Sequence, residues 1–487
     1  MNNPLLQRRA GMLLHITSLP GPGRCGTLGA DAYRFVDFLA AAGYSVWQTL
    51  PVGPPHDDGS PYQCLSLHAG DPALISIENM IQSGWLDTAA AVEPWNELLA
   101  HARRGFERHA LPDQQKHYSD FVAAEHHWLD EYALFRVLRE EYQHAAWVDW
   151  PAALRDREPA ALAAARQRGA AALQLICFEQ FVFFHQWLAL KEYAHRRGVL
   201  LFGDMPIFVA HDSADVWAQR DYFQLDADGR PTVVAGVPPD YFSATGQRWG
   251  NPHYRWERMQ QDGFQWWIGR VKTQLRLFDL VRIDHFRGFE SYWEIPAGHP
   301  TAMHGRWVDA PGDALFQVLC ACFDPLPVVA EDLGIITPEV EALRLSHGFP
   351  GMKILQFAFE GGPANPYLPH NHQALSAVYT GTHDNDTTLG WYASLAPVTR
   401  AYVDDYLHAA DEAMPWPLIR ACMASVATLA VIPMQDALAL DGAHRMNTPG
   451  TSTGNWRWRF EWMQVDDALA PQLRRLAELY GRVLPRP

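Results

Sequence analysis

The chain has 487 residues, of which 48 % are hydrophobic and 19 % charged. That composition is globular and excludes a disordered chain. Its 39 Lys and Arg stand against 55 Asp and Glu, a formal net charge of −16, which argues against nucleic acid as a partner and against an acidic membrane surface.

Strand-like runs alternate with helix-like ones along the chain. Met12-Leu13-Leu14-His15-Ile16 reads as a first strand, followed by a Gly- and Pro-rich loop. Residues 31–42 form an amphipathic helical pattern closed by Gly43, and residues 45–50 read as a second strand. Residues 86–172 are rich in Ala, Glu and Arg at helical spacing. The clearest piece, 123–142, puts Trp128, Leu129, Tyr132, Phe135 and Leu138 on one stripe. A helix over 178–197 returns the chain to a third strand, Val199-Leu200-Leu201-Phe202-Gly203-Asp204. Residues 208–263 hold Gly, Pro, Asp and aromatics with little periodicity, the mark of a long functional loop.

After a helix over 264–278 comes Val281-Arg282-Ile283-Asp284-His285-Phe286-Arg287-Gly288. It reads as a fourth, buried strand with Arg282 and Asp284 on one face by the two-residue period. A short extra strand over 291–295 and a helix over 314–323 follow, the latter expected to bury Cys320 and Cys322. Val328-Val329-Ala330-Glu331-Asp332 is the fifth strand. Thr337 and Pro338 open a helix as cap and first residue. Residues 353–357, 377–382 and 427–434 supply strands six to eight, a helical pair spans 398–424, and a helix over 466–484 closes the chain.

Eight strands alternating with helices predict an α/β fold, a (β/α)₈ TIM barrel forming one catalytic domain over 1–487. Two insertions are expected over its C-terminal mouth: a mainly helical one at 56–177 after strand two, and a loop-rich one at 208–263 after strand three. The six cysteines lack metal-ligand spacing and read as free thiols of a reducing compartment. No signal peptide or membrane span is visible, so a soluble cytoplasmic protein is expected.

In a barrel, catalytic groups sit where strands end at the C-terminal mouth. Asp204, Asp284, Glu331 and Asp384 all fall there. Such crowding of acids is costly unless a cation shares the site. Metal is the weaker reading, since there is no HExxH and a lone histidine such as His383 beside Asp384 is more often a hydrogen-bond donor than a ligand. Glycoside chemistry suits the set better: one carboxylate attacks the anomeric carbon, a second protonates the leaving oxygen, and the cationic transition state gains from the third. Arg282 is expected to keep Asp284 ionised. Glu331, with no cation beside it and Asp332 next door, is expected to hold its proton.

The stretches around these acids resemble the motifs of amylomaltases, bacterial 4-α-glucanotransferases of the wider α-amylase clan. They are residues 281–288, Ala330-Glu331-Asp332-Leu333-Gly334 and Gly381-Thr382-His383-Asp384-Asn385. The likeness extends to Gly59-Ser60-Pro61-Tyr62-Gln63, to residues 245–252 and to residues 450–457. It implies Asp284 as nucleophile, Glu331 as general acid/base and Asp384 as transition-state stabiliser. It further implies Arg282, His383, Asp204 and Tyr62 around the cleaved sugar, and Trp249, Gln247 and Ser60 near neighbouring glucose units. Phe357 and Asn455 would be further groove contacts. The implied substrates are malto-oligosaccharides and other α-1,4-glucans, with no cofactor and no metal. One departure is Gly23-Arg24-Cys25-Gly26-Thr27 in the first loop, where the family tends to a Tyr-Gly-Ile-Gly-Asp type of turn. An α-amylase-like hydrolase would share the three acids, and a non-catalytic glucan-binding barrel would lack one of them.

Overall fold

A computed structural model describes residues 3–239, 243–408 and 412–484. Twelve strands lie among them. Eight are parallel: β1 (Arg9–Leu13), β2 (Val46–Gln48), β3 (Leu200–Pro206), β6 (Leu280–Asp284), β9 (Val328–Ala330), β10 (Gly351–Ile354), β11 (Ser376–Tyr379) and β12 (Leu429–Pro433). The ladder runs β10-β11-β12-β1-β2-β3-β6-β9. The backbone N–H of Ala330 donates to the carbonyl of Pro350 (2.8 Å) and joins the two ends of that ladder. The result is the (β/α)₈ barrel, and its eight staves are those anticipated.

The strand period decides what faces where. Leu280 packs inside the barrel with Phe202, Val329 and Tyr379, while Val281 and Ile283 point outward against the helices. Arg282 and Asp284 therefore continue the inner row upward to the mouth. Ile283 is 1 % exposed, and Ile283→Ala would cost about 2–5 kcal/mol. Gly203, just before Asp204, is held to a hydrogen: a Cβ there would sit 2.2 Å from the Phe278 ring.

Between β2 and β3 the chain is mostly helical. The helices Pro112–Glu141 and Ala170–Arg196 are the longest, and Trp128, Leu129, Tyr132, Phe135 and Leu138 are all buried, as their stripe requires. Among the described residues, no helix is long and apolar enough to cross a membrane.

Where periodicity was weak over 208–263, the structure has strands: β4 (Val233–Val237) and β5 (Gln247–Pro252). They pair with β7 (Ser291–Pro296) and β8 (Arg306–Asp309) in an antiparallel sheet of order β5-β4-β7-β8. Gly and Pro within these short strands, and a register shift between Val234 and Gly236, hide the alternation. Several boundaries also move, and the seventh strand is Ser376–Tyr379 instead of 377–382, so that His383 and Asp384 lie on the turn beyond it. The first strand is Arg9–Leu13, earlier than Met12–Ile16, because Arg9 is tied down by Pro4 and Ser45 instead of ending the run. The sixth ends at Ile354, and Leu355–Phe357 turns into a 3₁₀ helix. The closing helix is Leu469–Leu479. Thr337 is the cap of helix Pro338–Ser346, but its side chain makes no capping bond. Cys322 is exposed and Cys320 half-buried, because the apolar side of Gly312–Cys322 is carried by Leu315, Phe316 and Leu319.

Candidate active site

The site is built outward from Arg282. Asp204 on β3 lies opposite Arg282 on β6 in the parallel register. The Arg282 guanidinium donates from Nη1 to both Asp204 oxygens (2.8 and 2.7 Å) and from Nη2 to Asp284 Oδ1 (2.8 Å). Asp204 is 1 % exposed and Arg282 4 %, so neither charge is tolerable alone. The Tyr62 hydroxyl donates to Asp204 Oδ2 (2.8 Å) and lies 2.8 Å from His383 Nε2. Asp284 points into the opening. Burial raises its carboxyl above the usual range, and Arg282 pulls the other way. Arg282 thus opposes protonation as anticipated, without overcoming burial.

Glu331 follows β9 directly. Ile283 pairs with Ala330, so Asp284 and Glu331 occupy the next rung of adjacent strands, which lie about 5 Å apart. Glu331 Oε2 accepts from the His285 N–H (2.7 Å) and Oε1 from the Leu333 N–H (2.9 Å). His285 reaches that position in a left-handed conformation, φ 53°, which turns its amide back toward β9. Burial first, and the charge of Asp284 second, push Glu331 up to about 7; Arg282 and the two amides only partly offset this. Asp332 plays no part in the shift. It turns away to accept from the Met352 N–H (2.6 Å) and to pair with Arg344 (3.2 Å).

Asp384 stands five residues beyond the end of β11, on a turn. Thr382 and Asn385 brace that turn: Asn385 Oδ1 accepts from the Thr382 N–H (2.8 Å) and hydroxyl (2.9 Å). His383 Nε2 lies 3.3 Å from Asp384 Oδ2, and Asn447 Nδ2 donates to Asp384 Oδ1 (2.7 Å). Burial would raise this carboxyl, but His383 and Asn447 hold it well below the usual range. Burial would likewise lower His383, but Asp384 raises it.

Of the remaining residues singled out, Trp249 meets the His285 ring edge-on at 4.8 Å, and its indole N–H donates to Gln247 Oε1 (3.2 Å). Gln247 is exposed, so this pair forms a polar-edged wall beside the acids. Ser60 sits on the Tyr62 loop and accepts from the Tyr62 N–H (3.4 Å). Phe357 packs edge-on against Tyr367 at 5.7 Å, above the inner barrel core. Asn455 uses its amide inside its own loop, accepting from the Thr448 N–H (3.0 Å) and donating to Thr451 O (3.0 Å). Tyr241 and Phe242, two of the aromatics of the stretch 208–263, lie outside the described residues. Sequence reasoning missed Asn447, Arg445, His285 and Trp456. The Trp456 ring stands 6.0 Å from Tyr62 and 6.1 Å from His383, and only the neighbouring Asn455 motif hinted at it. A recess opens behind His383, lined by His15, Thr382, Asn385, Arg445 and Met446 among others; none of the three carboxylates lines it.

The family model described as 4-alpha-glucanotransferase matches residues 14–465. The 4-alpha-glucanotransferase of Thermus thermophilus is 49 % identical over 98 % of this chain and 100 % of its own length. The chloroplastic/amyloplastic enzyme of Arabidopsis thaliana is 40 % identical over 99 % of this chain and 87 % of its own. Among solved structures, the amylomaltase of Streptococcus agalactiae in complex with acarbose superposes with a TM-score of 0.93 at 35 % identity, covering 98 % of this chain and 100 % of that one. With its barrel, its charged mouth and these relatives, the chain belongs to the 4-α-glucanotransferase family.

Proposed function

We infer that this chain is a retaining 4-α-glucanotransferase that moves segments of α-1,4-glucans from a donor malto-oligosaccharide to the 4-hydroxyl of an acceptor glucan or glucose. Asp284 is the nucleophile and Glu331 the general acid/base. Asp384 is the stabiliser of the oxocarbenium-like transition state. One observation carries this reading: two carboxylates stand on the same rung of neighbouring staves, Asp284 against a guanidinium (2.8 Å) and Glu331 raised to about 7 by burial and by the charge of Asp284.

The arrangement supports a proton cycle. With Asp284 ionised, its charge helps keep the proton on Glu331, which delivers it to the departing 4-oxygen as Asp284 Oδ bonds to the anomeric carbon. Esterification then removes the charge of Asp284. The push on Glu331 weakens, and the carboxylate is ready to take the proton from an incoming 4-hydroxyl. The acceptor oxygen bonds to the anomeric carbon, and the Asp284 ester breaks with its electron pair returning to the carboxylate. Arg282, Asp204, Tyr62 and His383 bind and orient the sugar being cleaved. Trp249, Gln247 and Ser60 hold neighbouring units, with Phe357 and Asn455 farther along the groove. The segments 56–177 and 208–263 serve as subdomains that cover the mouth and favour a sugar over water as acceptor. The six free cysteines fit a cytoplasmic setting, with starch- or glycogen-derived maltodextrins as substrates.

Incubation with maltotriose tests the reading. Products both shorter and longer than the substrate are expected. Glucose and maltose alone would make it a hydrolase and sink the transferase assignment.

A further inference from the structure

Asp384 differs from the other two carboxylates in what supports it. Asp284 is the last residue of β6, and Glu331 follows the end of β9 directly; both inherit their position from barrel hydrogen bonds. Asp384 does not, because β11 stops at Tyr379. A carboxylate on a turn rotates about two side-chain bonds unless something holds it, and an error of an ångström at a reacting centre costs orders of magnitude in rate.

That hold comes from a distant segment. Arg445 Nη2 donates to the backbone carbonyl of Asp384 (2.9 Å), and Arg445 Nε donates to the carbonyl of Asn447 (3.2 Å). Asn447 Nδ2 closes the ring on Asp384 Oδ1 (2.7 Å). Two hydrogen bonds therefore clamp the main chain and the carboxylate of Asp384 to one short stretch, and the third ties Arg445 to Asn447 within it. The stretch is itself anchored, since the Trp456 N–H donates to the Met446 carbonyl (2.8 Å) and closes the base of the loop that follows. On the other oxygen stands His383, 3.3 Å away.

We propose that Asn447 is a positioning residue for Asp384, locked by Arg445, and that it fixes the carboxylate so that its free lone pairs meet two hydroxyls of the glucose unit under attack. The count of sites supports this. An ionised carboxylate offers about four acceptor positions. Asn447 takes one on Oδ1, and the His383 Nε2–H, shared with the Tyr62 hydroxyl, stands against Oδ2, which leaves lone pairs on both oxygens, as two adjacent ring hydroxyls require. This role rests on the functional reading above and adds a residue to it.

The test compares the full-length wild type with N447A and R445M. Donors are maltotriose, α-glucosyl fluoride and 2-deoxy-α-glucosyl fluoride, the fluorides with maltose as acceptor. N447A is expected to lower kcat on maltotriose and on the glucosyl fluoride on the order of 10–100-fold, the effect of losing one hydrogen bond to a charged group. KM should move less than about threefold, because the contact matters mainly in the transition state. On the 2-deoxy donor the same variant should lose clearly less, since one of the two hydroxyls that Asp384 grips is gone. R445M should show the same pattern more weakly, and it carries the test if N447A fails to fold. Equal losses on both fluorides would mean a merely structural role. A loss confined to KM would make Asn447 a direct sugar contact, and kcat within twofold of wild type in both variants would remove the role altogether. A wild type that only hydrolyses maltotriose would overturn the transferase reading instead, and the comparison of fluorides would still decide the role of Asn447.

Discussion

Replacing Glu331 by Gln separates proton delivery from everything else in the site. The shift of the Glu331 carboxyl from 4.5 to about 7 corresponds to about 3 kcal/mol favouring the protonated form. At pH 6 most molecules then carry the proton that the leaving oxygen needs, and at pH 8 roughly a tenth do. The kcat/KM profile for maltotriose should therefore fall on its alkaline side from about pH 7. A donor with fluoride as leaving group needs no proton, so formation of the glycosyl-enzyme from it should not show that limb. Gln keeps the shape and still accepts from His285 or Leu333 through its carbonyl, but it cannot give a proton. Glu331→Gln should cost about 10²–10⁴-fold with maltotriose and far less in the fluoride step, read by stopped-flow release of fluoride. Asp284→Asn gives the converse: with the neighbouring charge removed, Glu331 should titrate closer to 4.5, as followed by carboxyl-carbon NMR. Equal losses on both donors in Glu331→Gln, or a Glu331 titration unmoved by Asp284→Asn, would refute the coupling of the two acids.

Further expectations follow from the same contacts. Arg282→Met leaves Asp204 buried without its cation and should destabilise the fold by about 3–5 kcal/mol, read as a lowered melting temperature; an unchanged melting temperature would refute it. Tyr62→Phe keeps the ring and loses the hydroxyl to Asp204 and His383. It should lower kcat about tenfold or more with little change in melting temperature, because Arg282 still satisfies Asp204. Trp249→Ala should raise KM for a glucose acceptor more than it lowers kcat and increase the hydrolysed share of the products; an unchanged acceptor KM would remove Trp249 from the acceptor side.

How much of this was legible in the letters depends on the range of the interactions. The stave Leu280–Asp284 was readable because apolar residues alternate with Arg282 and Asp284, and a strand shows that period locally. Glu331 was readable as a strand-end acid, whereas Asp384, read the same way, lies on a turn five residues past the end of its strand. Of the small antiparallel sheet only β7 was readable, as the short extra strand over 291–295; the other strands run four to six residues, β4 and β5 through Gly or Pro, and the pairing joins segments on either side of β6. The raised carboxyl of Glu331 was anticipated for a partly wrong reason. Adjacency in sequence pointed to Asp332, whereas the side chains of successive residues diverge and the charge that acts is Asp284, on the neighbouring strand. Asn447 and Arg445 left no trace, since an ordinary Arg and Asn become a clamp only when the turn after β11 is folded against them.

The charged groups at the mouth form one connected path, and this links catalysis to closure of the barrel. From Asp284 the path runs through Arg282 to Asp204, through Tyr62 to His383, and on to Asp384 and Asn447. It crosses β6, β3, the loop after β2, the turn after β11 and the segment after β12. No single strand pair could hold these groups, because facing carboxylates repel and each needs a cation or donor from a different stave. The ends of the path differ from its middle. Asp204 and Arg282 are nearly inaccessible, at 1 % and 4 %, while the side chains of Asp284 and Asp384 retain 31 % and 46 % of their exposure. The middle thus acts as a fixed counter-charge whose desolvation is already met by folding, and the ends present lone pairs to whatever enters. A sugar that develops positive charge between them meets oriented negative groups that need not reorganise, the condition under which electrostatic stabilisation is largest.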